Sequence, residues 1–477
     1  MSEDKHAAPS GPADADLGDT GTRVGAHRRS EPEEPQERSA TFGEIFASGQ
    51  FRALYSATML SWIGDYLAKA AVTALVYTQT QSIAISAATF AISYVPWVLG
   101  GPILAALAER YPYRRVMIIC DVFRAALVAI VAIPGMPVPA MLALLFATAL
   151  LNPPFEAARS ALMPRVLDGD RYVQATVMQN VTGQGAQLAG YLIGAAMAAY
   201  HPHLALAVDA TTFAASALLV ALFIHSYRPA LDKSQRTHLL RETGQGFSVV
   251  FGTDVLRAIA ILIFTLMLFT ALPEGLAAAW AGHLSDTPAG KGVDQGLIMG
   301  GYPAGFILGG LVVSRMLPPA HRRRLIRPLA VLAPLAMVPA VLNPSAPVIA
   351  VLALVCGFAV AGLFPSANGL FVRALPDVFR ARAFGIMQSG VQIIQGLAIF
   401  TCGALADRFT LPIVVGVWSV GGVLVMLVAS AQWPSQPRFT AAFQAADQAN
   451  SANAARAGGA VPPDATAPPR VRTAESV

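Results

Sequence analysis

Residues 346–372 read APVIAVLALVCGFAVAGLFPSANGLFV, a run without one charged side chain. About 20 apolar residues at 1.5 Å rise cross a ~30 Å hydrocarbon core, so the run is long enough to span a bilayer as a helix. Backbone amides deprived of water must bond internally, and the run lacks the alternation of a barrel strand, which leaves the helix. Working outward, similar runs bounded by Pro, Gly and charge occur near 52–78, 85–107, 116–133, 138–158, 173–199 and 203–224. Others follow near 256–280, 294–316, 326–342, 383–405 and 411–432. With 346–372 they predict an all-α membrane protein of twelve transmembrane helices. Composition agrees: 55% apolar and 13% charged residues, with mean hydropathy +0.54. Ordinary soluble chains carry roughly 25% charge, so a soluble enzyme is excluded.

The flanks read differently. Residues 1–40 are rich in Pro, Gly, Asp, Glu and Arg without an apolar core, and are expected to form a disordered tail with no signal peptide. Residues 434–477, rich in Ala, Pro, Gln and Arg, are expected as a second tail. Between them the sequence divides into a first six-helix half at 41–224, a linker at 225–252 and a second half at 253–433. Cys120, Cys356 and Cys402 fall inside apolar runs and read as small hydrophobes rather than a disulfide framework.

Basic residues set the orientation. With a cytoplasmic amino terminus, the inside loops hold Arg110, Arg114 and Arg115, then Arg159, Arg165 and Arg171, the basic residues of 228–241, Arg315, Arg322–Arg324 and Arg327, and finally Arg373, Arg380 and Arg382. The outside loops hold only Lys291 and Arg408. The positive-inside rule then puts both termini and the linker in the cytoplasm, as expected for a multi-pass protein of a bacterial cytoplasmic membrane.

The halves also echo one another. Ser160 to Leu167 followed by Met178-Gln179-Asn180 parallels Asn368 to Leu375 followed by Met387-Gln388-Ser389. Both stretches pass from an even span through an inside loop into an odd one, the mark of a parallel duplication of six spans. Parallel repeats place a substrate site near the midplane between the halves.

The sharpest motif joins the second and third spans: Gly101-Pro102-Ile103-Leu104-Ala105-Ala106-Leu107-Ala108-Glu109-Arg110, then Arg114-Arg115, then Asp121 and Arg124. Its small residues permit close helix approach, and its acid and arginines can pair with each other and with helix ends. A solvated inside loop would explain the arginines but not the spacing of the glycine, alanines and acid. The stretch resembles the cytoplasmic-loop signature of the major facilitator superfamily, with Glu109 where Asp is usual. That resemblance implies that Gly101, Glu109, Arg110, Arg114, Arg115, Asp121 and Arg124 latch the two halves when the protein faces outward. A weaker echo at Gly305 to Gly310, Arg315 and Arg322–Arg324 lacks the acid. Ser61-Trp62-Ile63-Gly64-Asp65, taken with the loop motif, is most similar to the enterobactin-exporter and macrolide-efflux branch, over about residues 42–432. Gly185, Gly190 and Gly194 partly resemble the glycine-rich fifth span of drug/proton antiporters, and equally suit a small-residue packing face. The fourth span as delimited holds no arginine, so that family's proton-linked arginine is not expected there.

Ionised groups at membrane depth cost at least ~2.5–3.5 kcal/mol, which makes them functional candidates. Asp65 and Lys69 lie one turn apart and can pair. Asp65 then either loads and releases a proton beside Lys69 or belongs to a permanent structural pair. Asp209 is expected near an interface, satisfied by helix ends. Glu274, between Pro273 and Gly275, could line an outer mouth or be a solvated loop acid. Uncharged polar residues form a second set: Gln179, Asn180, Gln184 and Gln187 on the fifth span, and Gln388, Gln392 and Gln395 as one stripe on the eleventh. They either join helices or line a wet path, and the stripe favours the path. Tyr55, Trp62, Tyr94, Trp97 and Trp280 could offer an apolar surface to a bulky ligand, although Trp280 suits interfacial anchoring better.

The reading that follows is an exporter of a hydrophobic or amphipathic small molecule, such as a drug, siderophore or secondary metabolite, driven by proton antiport through alternating access. A proton-coupled nutrient importer is the alternative, and a transport-inactive sensor or scaffold the second. No Gly-x-x-x-x-Gly-Lys-Ser/Thr loop supports an ATP-driven pump, and no cluster of His or paired acids supports an enzyme. The expected partners are the small-molecule substrate, protons and the lipid bilayer, with no nucleic acid, cofactor or metal, and the protein is expected to be a monomer.

Overall fold

The computed structural model describes residues 42–97, 111–167, 170–227 and 239–458, which are helical throughout with no strand among the described residues. The described residues form one compact unit. A short helix α1 (Phe42–Phe46) precedes α2 (Gly49–Thr80), whose N-cap Ser48 accepts a hydrogen bond from the Phe51 amide at 3.3 Å. At its other end Gln81 adopts a left-handed conformation that ends the helix. The first half continues through α3 (Ile83–Ala91), α4 (Tyr113–Val131), α5 (Val138–Ala149), α6 (Asn152–Val166), α7 (Asp170–Ala198) and α8 (Pro202–Phe223). The second half holds α9 (Leu239–Gly252), α10 (Asp254–Thr270), α11 (Leu272–Leu284), α12 (Pro288–Met316), α13 (Pro319–Met337), α14 (Ala346–Arg373), α15 (Arg380–Ala406), α16 (Leu411–Ala431) and α17 (Gln436–Gly458).

Among the described residues, nine helices are long and apolar enough to cross a membrane. Two are composite. α5 and α6 together cover Val138–Val166, and α10 and α11 cover Asp254–Leu284. Each break comes just before a proline, at Asn152-Pro153-Pro154 and Leu272-Pro273, where missing amides interrupt the hydrogen-bond ladder. Of the other three expected spans, 116–133 and 173–199 fall on α4 and α7, and the span at 85–107 is described only over the shorter apolar Ile83–Trp97, its remainder lying outside the described residues.

Two expectations are corrected. The fourth span does not stop near 158 but runs to Val166, which draws Arg159 into it beside Glu156. Over Gln436–Gly458 the expected disordered tail is a helix. Phe439, Phe443 and Ala446 form an apolar stripe at i, i+4 and i+7, hidden by the Ala and Gln around it. Phe439 and Ala446 are buried, Phe439 packs on Trp433 with centroids 5.6 Å apart, and the Arg373 guanidinium lies 4.6 Å from the Phe443 ring. The Asp377 amide also donates to Asn450 Oδ1 at 2.9 Å.

The halves meet at one end of the bundle. The large core of the second half takes in Ala70, Tyr77, Ile83, Ala87, Phe90 and Tyr191 of the first. These residues cluster toward the 81–82 and 199–201 turns. Toward the opposite end, Phe51, Leu54, Tyr113, Phe155 and Leu162 form a separate core confined to the first half. Polar contacts close the joined end. Asp407 accepts from the Ser82 hydroxyl and the Ile83 amide, both at 2.8 Å, so a carboxylate sits on the N-terminus of α3. Gln295 of α12 donates to the Ala70 carbonyl at 2.8 Å.

Candidate functional site

Trp62, Tyr66 and Lys69 recur at i, i+4 and i+7 along α2 and so share one face of it. Three polar groupings gather along that face. At Trp62, the indole N–H donates to Glu156 Oε1 at 3.3 Å, and Arg159 donates through Nε to Glu156 Oε2 at 2.9 Å. Arg159 Nη1 donates to Gln179 Oε1 at 2.8 Å while its guanidinium stacks 5.2 Å from the Trp62 ring. Spans one, four and five are thus tied by one arginine fork, whose planar geometry suits a carboxylate and an amide together.

At Lys69 the expected pairing fails. Among the described residues no ion pair joins it to Asp65. Its ammonium instead lies 5.0 Å from the Tyr66 centroid, 5.9 Å from Phe90 and 6.0 Å from Tyr94, a three-sided aromatic cage. Asp65 turns toward the inside of the first half, where Arg124 and Lys69 are the cations within electrostatic reach.

The third grouping joins the halves. Glu274, in the first turn of α11, accepts from Gln187 Nε2 at 3.0 Å and from the Tyr191 hydroxyl at 2.9 Å. Tyr191 packs edge-on against Tyr66 with centroids 5.2 Å apart, which links this grouping to the lysine cage. Glu274 is therefore neither a solvated loop acid nor the lining of an open outer mouth; it is clamped by two donors on α7.

The remaining sequence candidates divide. Asp121 and Arg124 form a buried pair at 3.6 Å inside the first half. Asp121 accepts from the Ser216 hydroxyl at 2.6 Å, and the Arg124 guanidinium faces Phe155 and Phe213 at 4.8 and 5.4 Å. Arg114 donates to the Ala221 carbonyl. In this conformation these three residues hold the first half together rather than bridging to the second. Arg115 has no ion-pair partner among the described residues, and Gly101, Glu109 and Arg110 lie outside them. Asp209 is 1% exposed against Gly64 of α2 and accepts from Thr212 Oγ1 at 3.3 Å, so it is an interior group rather than an interfacial one.

Among the amides, Gln179 Nε2 and Gln184 Oε1 are buried without a hydrogen-bond partner, a donor and an acceptor left open. Asn180 and Gln388 are exposed, Gln392 is half-buried, and Gln395 donates to Met267 Sδ at 3.7 Å. Trp280 is fully buried, not an interfacial anchor, and Tyr55 packs on Phe46 and Phe51 away from the α2 face. Gly190 and Gly194 bring α7 against the backbone of Ile63 and Leu67, which makes them a packing face, whereas Gly185 meets nothing. Arg159 was missed because a span drawn to 158 left it in a loop, and Glu156, inside that span, was passed over without its partner. Their Pro-Pro-Phe-Glu-Ala-Ala-Arg context, an i, i+3 acid and base within a helix, was the available signal.

A family model described as Major Facilitator Superfamily matches residues 54–394. The chain belongs to the major facilitator superfamily. Its fold is shared with solved transporters. The nucleoside transporter NupG aligns with TM-score 0.62 at 14% identity, over 81% of this chain and 99% of its own. A POT family transporter in complex with 5-aminolevulinic acid aligns with TM-score 0.64 at 14% identity, over 84% and 98%. The peptide transporter POT in complex with sulfate aligns with TM-score 0.59 at 15% identity, over 85% and 99%. Comparison with curated protein sequences finds no match. The membership makes this a multi-pass membrane transporter.

Proposed function

We propose that this superfamily member exports an amphipathic small molecule by proton antiport, and that Glu274 carries the coupling proton. The observation behind this reading is that both hydrogen bonds of the Glu274 carboxylate cross from one half to the other. Any rocking motion that opens the joined end breaks them, and protonation weakens them, so proton binding and access are linked through the same atoms. Twelve spans with both termini cytoplasmic follow from the distribution of basic residues. On that orientation the joined end faces outward and the site is reached from the cytoplasm of a bacterial-type cell. The aromatic rings of Trp62, Tyr66, Phe90 and Tyr94 offer apolar surface to the substrate. The unpartnered Gln179 Nε2 and Gln184 Oε1 offer a donor and an acceptor to its polar groups. Asp65, the sequence's first proton candidate, lacks contacts across the halves and is assigned a supporting role beside Arg124.

The second reading, import of a small zwitterionic nutrient, is favoured by fixed charges of both signs on the α2 face: Lys69 and Arg159 against Glu156 and Glu274. It is compatible with the peptide cargo named for one structural neighbour. Retention of a panel of amphipathic dyes and antibiotics, compared in expressing and deleted cells, separates the two. Lower retention on expression, lost when the proton gradient is collapsed and lost in Glu274→Gln, supports export. Higher uptake of peptides or amino-acid analogues supports import. No change with any compound sinks both.

A further inference from the structure

A cavity lies away from the α2 face, between α12, α13 and α14, with a volume of about 260 Å³. Roughly 300–1,000 Å³ is usual for pockets that take drug-sized ligands, so this one suits a smaller group than the transported amphiphile. Three arginines, Arg322, Arg323 and Arg373, line it, and among the described residues no acidic side chain does. The rest of the lining is apolar or small, including Val313, Leu370 and Ser366. Space is left by two glycines, since a Cβ added at Gly310 or Gly369 would meet nothing within 4 Å.

The arginines are placed rather than merely numerous. Arg322 Nε donates to the Leu317 carbonyl at 2.7 Å, which fixes its guanidinium at the rim. The Arg373 guanidinium is stacked on Phe443 of α17 with 4.6 Å to the ring centroid, which restrains it. Arg322 and Arg323 stand at the start of α13, where the helix macrodipole already carries positive charge and cationic side chains are disfavoured. An anion seated there would relieve both repulsions at once. Pro365 of α14 also lines the cavity, and its ring lacks the amide that would bond the Ala361 carbonyl.

We propose that this cavity is a binding site for a phosphate-bearing anion, either the headgroup of an anionic phospholipid or a free organophosphate. Guanidinium forks match phosphate oxygens in pairs, and the apolar wall suits the hydrocarbon carried by the phosphate. The site lies wholly within the second half, so it is independent of the substrate path and of the reading of Glu274.

The test uses the full-length purified chain in a neutral detergent, with dioleoylphosphatidylglycerol, dioleoylglycerol and glycerol 1-phosphate as probes, followed by native mass spectrometry and thermal stabilisation. Phosphatidylglycerol retention that dioleoylglycerol does not reproduce identifies the lipid headgroup; stabilisation by glycerol 1-phosphate identifies a soluble ligand. Arg323→Gln with Arg373→Gln should weaken either by about tenfold or more, as loss of two interfacial cations implies. Gly369→Leu, which fills the cavity without altering charge, should weaken it comparably and covers the case in which the double variant folds poorly. Arg257→Gln, an exposed arginine paired with Asp254 outside the cavity, should leave it unchanged. Failure of both phosphate probes to bind, or binding unaltered in both the double variant and Gly369→Leu, overturns the proposal.

Discussion

Replacing Tyr191 by Phe removes one oxygen and leaves the ring against Tyr66, so its effect can be traced to one hydrogen bond. That bond, 2.9 Å from the Tyr191 hydroxyl to Glu274 Oε2, joins the halves beneath the closed end. A hydrogen bond to a charged group contributes ~1.5–3 kcal/mol, and a ligand or contact present in only one conformation shifts the equilibrium by that amount. At 1.4 kcal/mol per factor of ten, the population open at the joined end should rise about 10- to 100-fold. The Gln187 amide still donates at 3.0 Å, which argues for the lower part of that range. Spin labels at Gln79→Cys and Asp286→Cys, both exposed positions on opposite halves at that end, report the separation directly, since Cys120, Cys356 and Cys402 are buried. Acidification should drive the unmodified protein toward the variant, because a protonated Glu274 accepts only a neutral bond of ~0.5–1.5 kcal/mol. Glu274→Gln should be insensitive to pH over the same range. Identical distance distributions in Tyr191→Phe and the unmodified protein at alkaline pH would refute the assignment of Glu274 as the lock.

Asp407→Ala should open the same end by a smaller factor, since this exposed carboxylate at the α3 N-terminus contributes ~1 kcal/mol, and its effect should add to that of Tyr191→Phe in the same label pair. Arg124→Leu alone strands the buried Asp121 carboxylate and should cost ~3–5 kcal/mol, while Asp121→Leu with Arg124→Leu recovers most of it; thermal unfolding followed by size-exclusion chromatography reads both. Gly305→Ala should lower the same melting temperature, because a Cβ there would fall 1.9 Å from the Leu354 carbonyl oxygen. Gly185→Ala, which meets nothing, should be neutral or gain up to about 1 kcal/mol of helix propensity.

The membrane class was legible because runs such as 346–372 allow one solution in hydrocarbon, and family membership followed from a loop motif with unusual spacing. Side-chain partners were less legible. Asp65 and Lys69 have the spacing of a salt bridge, yet Lys69 is held by rings from α2, α3 and the short helical turn beyond it, a grouping that no local spacing announces. Glu274 had a helix-breaking context on both sides, which reads as a loop until α7 supplies Gln187 and Tyr191 from 87 and 83 residues away. The helix at Gln436–Gly458 was masked because composition averages over an apolar stripe of three residues. Periodicity, read at Phe439, Phe443 and Ala446, would have found it.

Charge is shared unevenly between the halves, and the imbalance decides where coupling can reside. Of the charged side chains on the α2 face and in the interior of the first half, Asp65, Lys69, Asp121, Arg124, Glu156, Arg159 and Asp209 belong to the first half, and the second contributes Glu274. Ion pairs and hydrogen bonds wholly within the first half, such as Asp121 with Arg124 and Glu156 with Arg159, move as a body when that half rocks. A proton that binds equally well before and after the motion cannot shift the balance between them, however buried its site. Glu274 differs in kind, since its carboxylate has both donors in one conformation and must exchange them in the other. Under the proposed proton coupling, differential proton affinity between the two conformations therefore concentrates at acids whose partners belong to the opposite half, Glu274 in the interior and Asp407 at the exposed closed end.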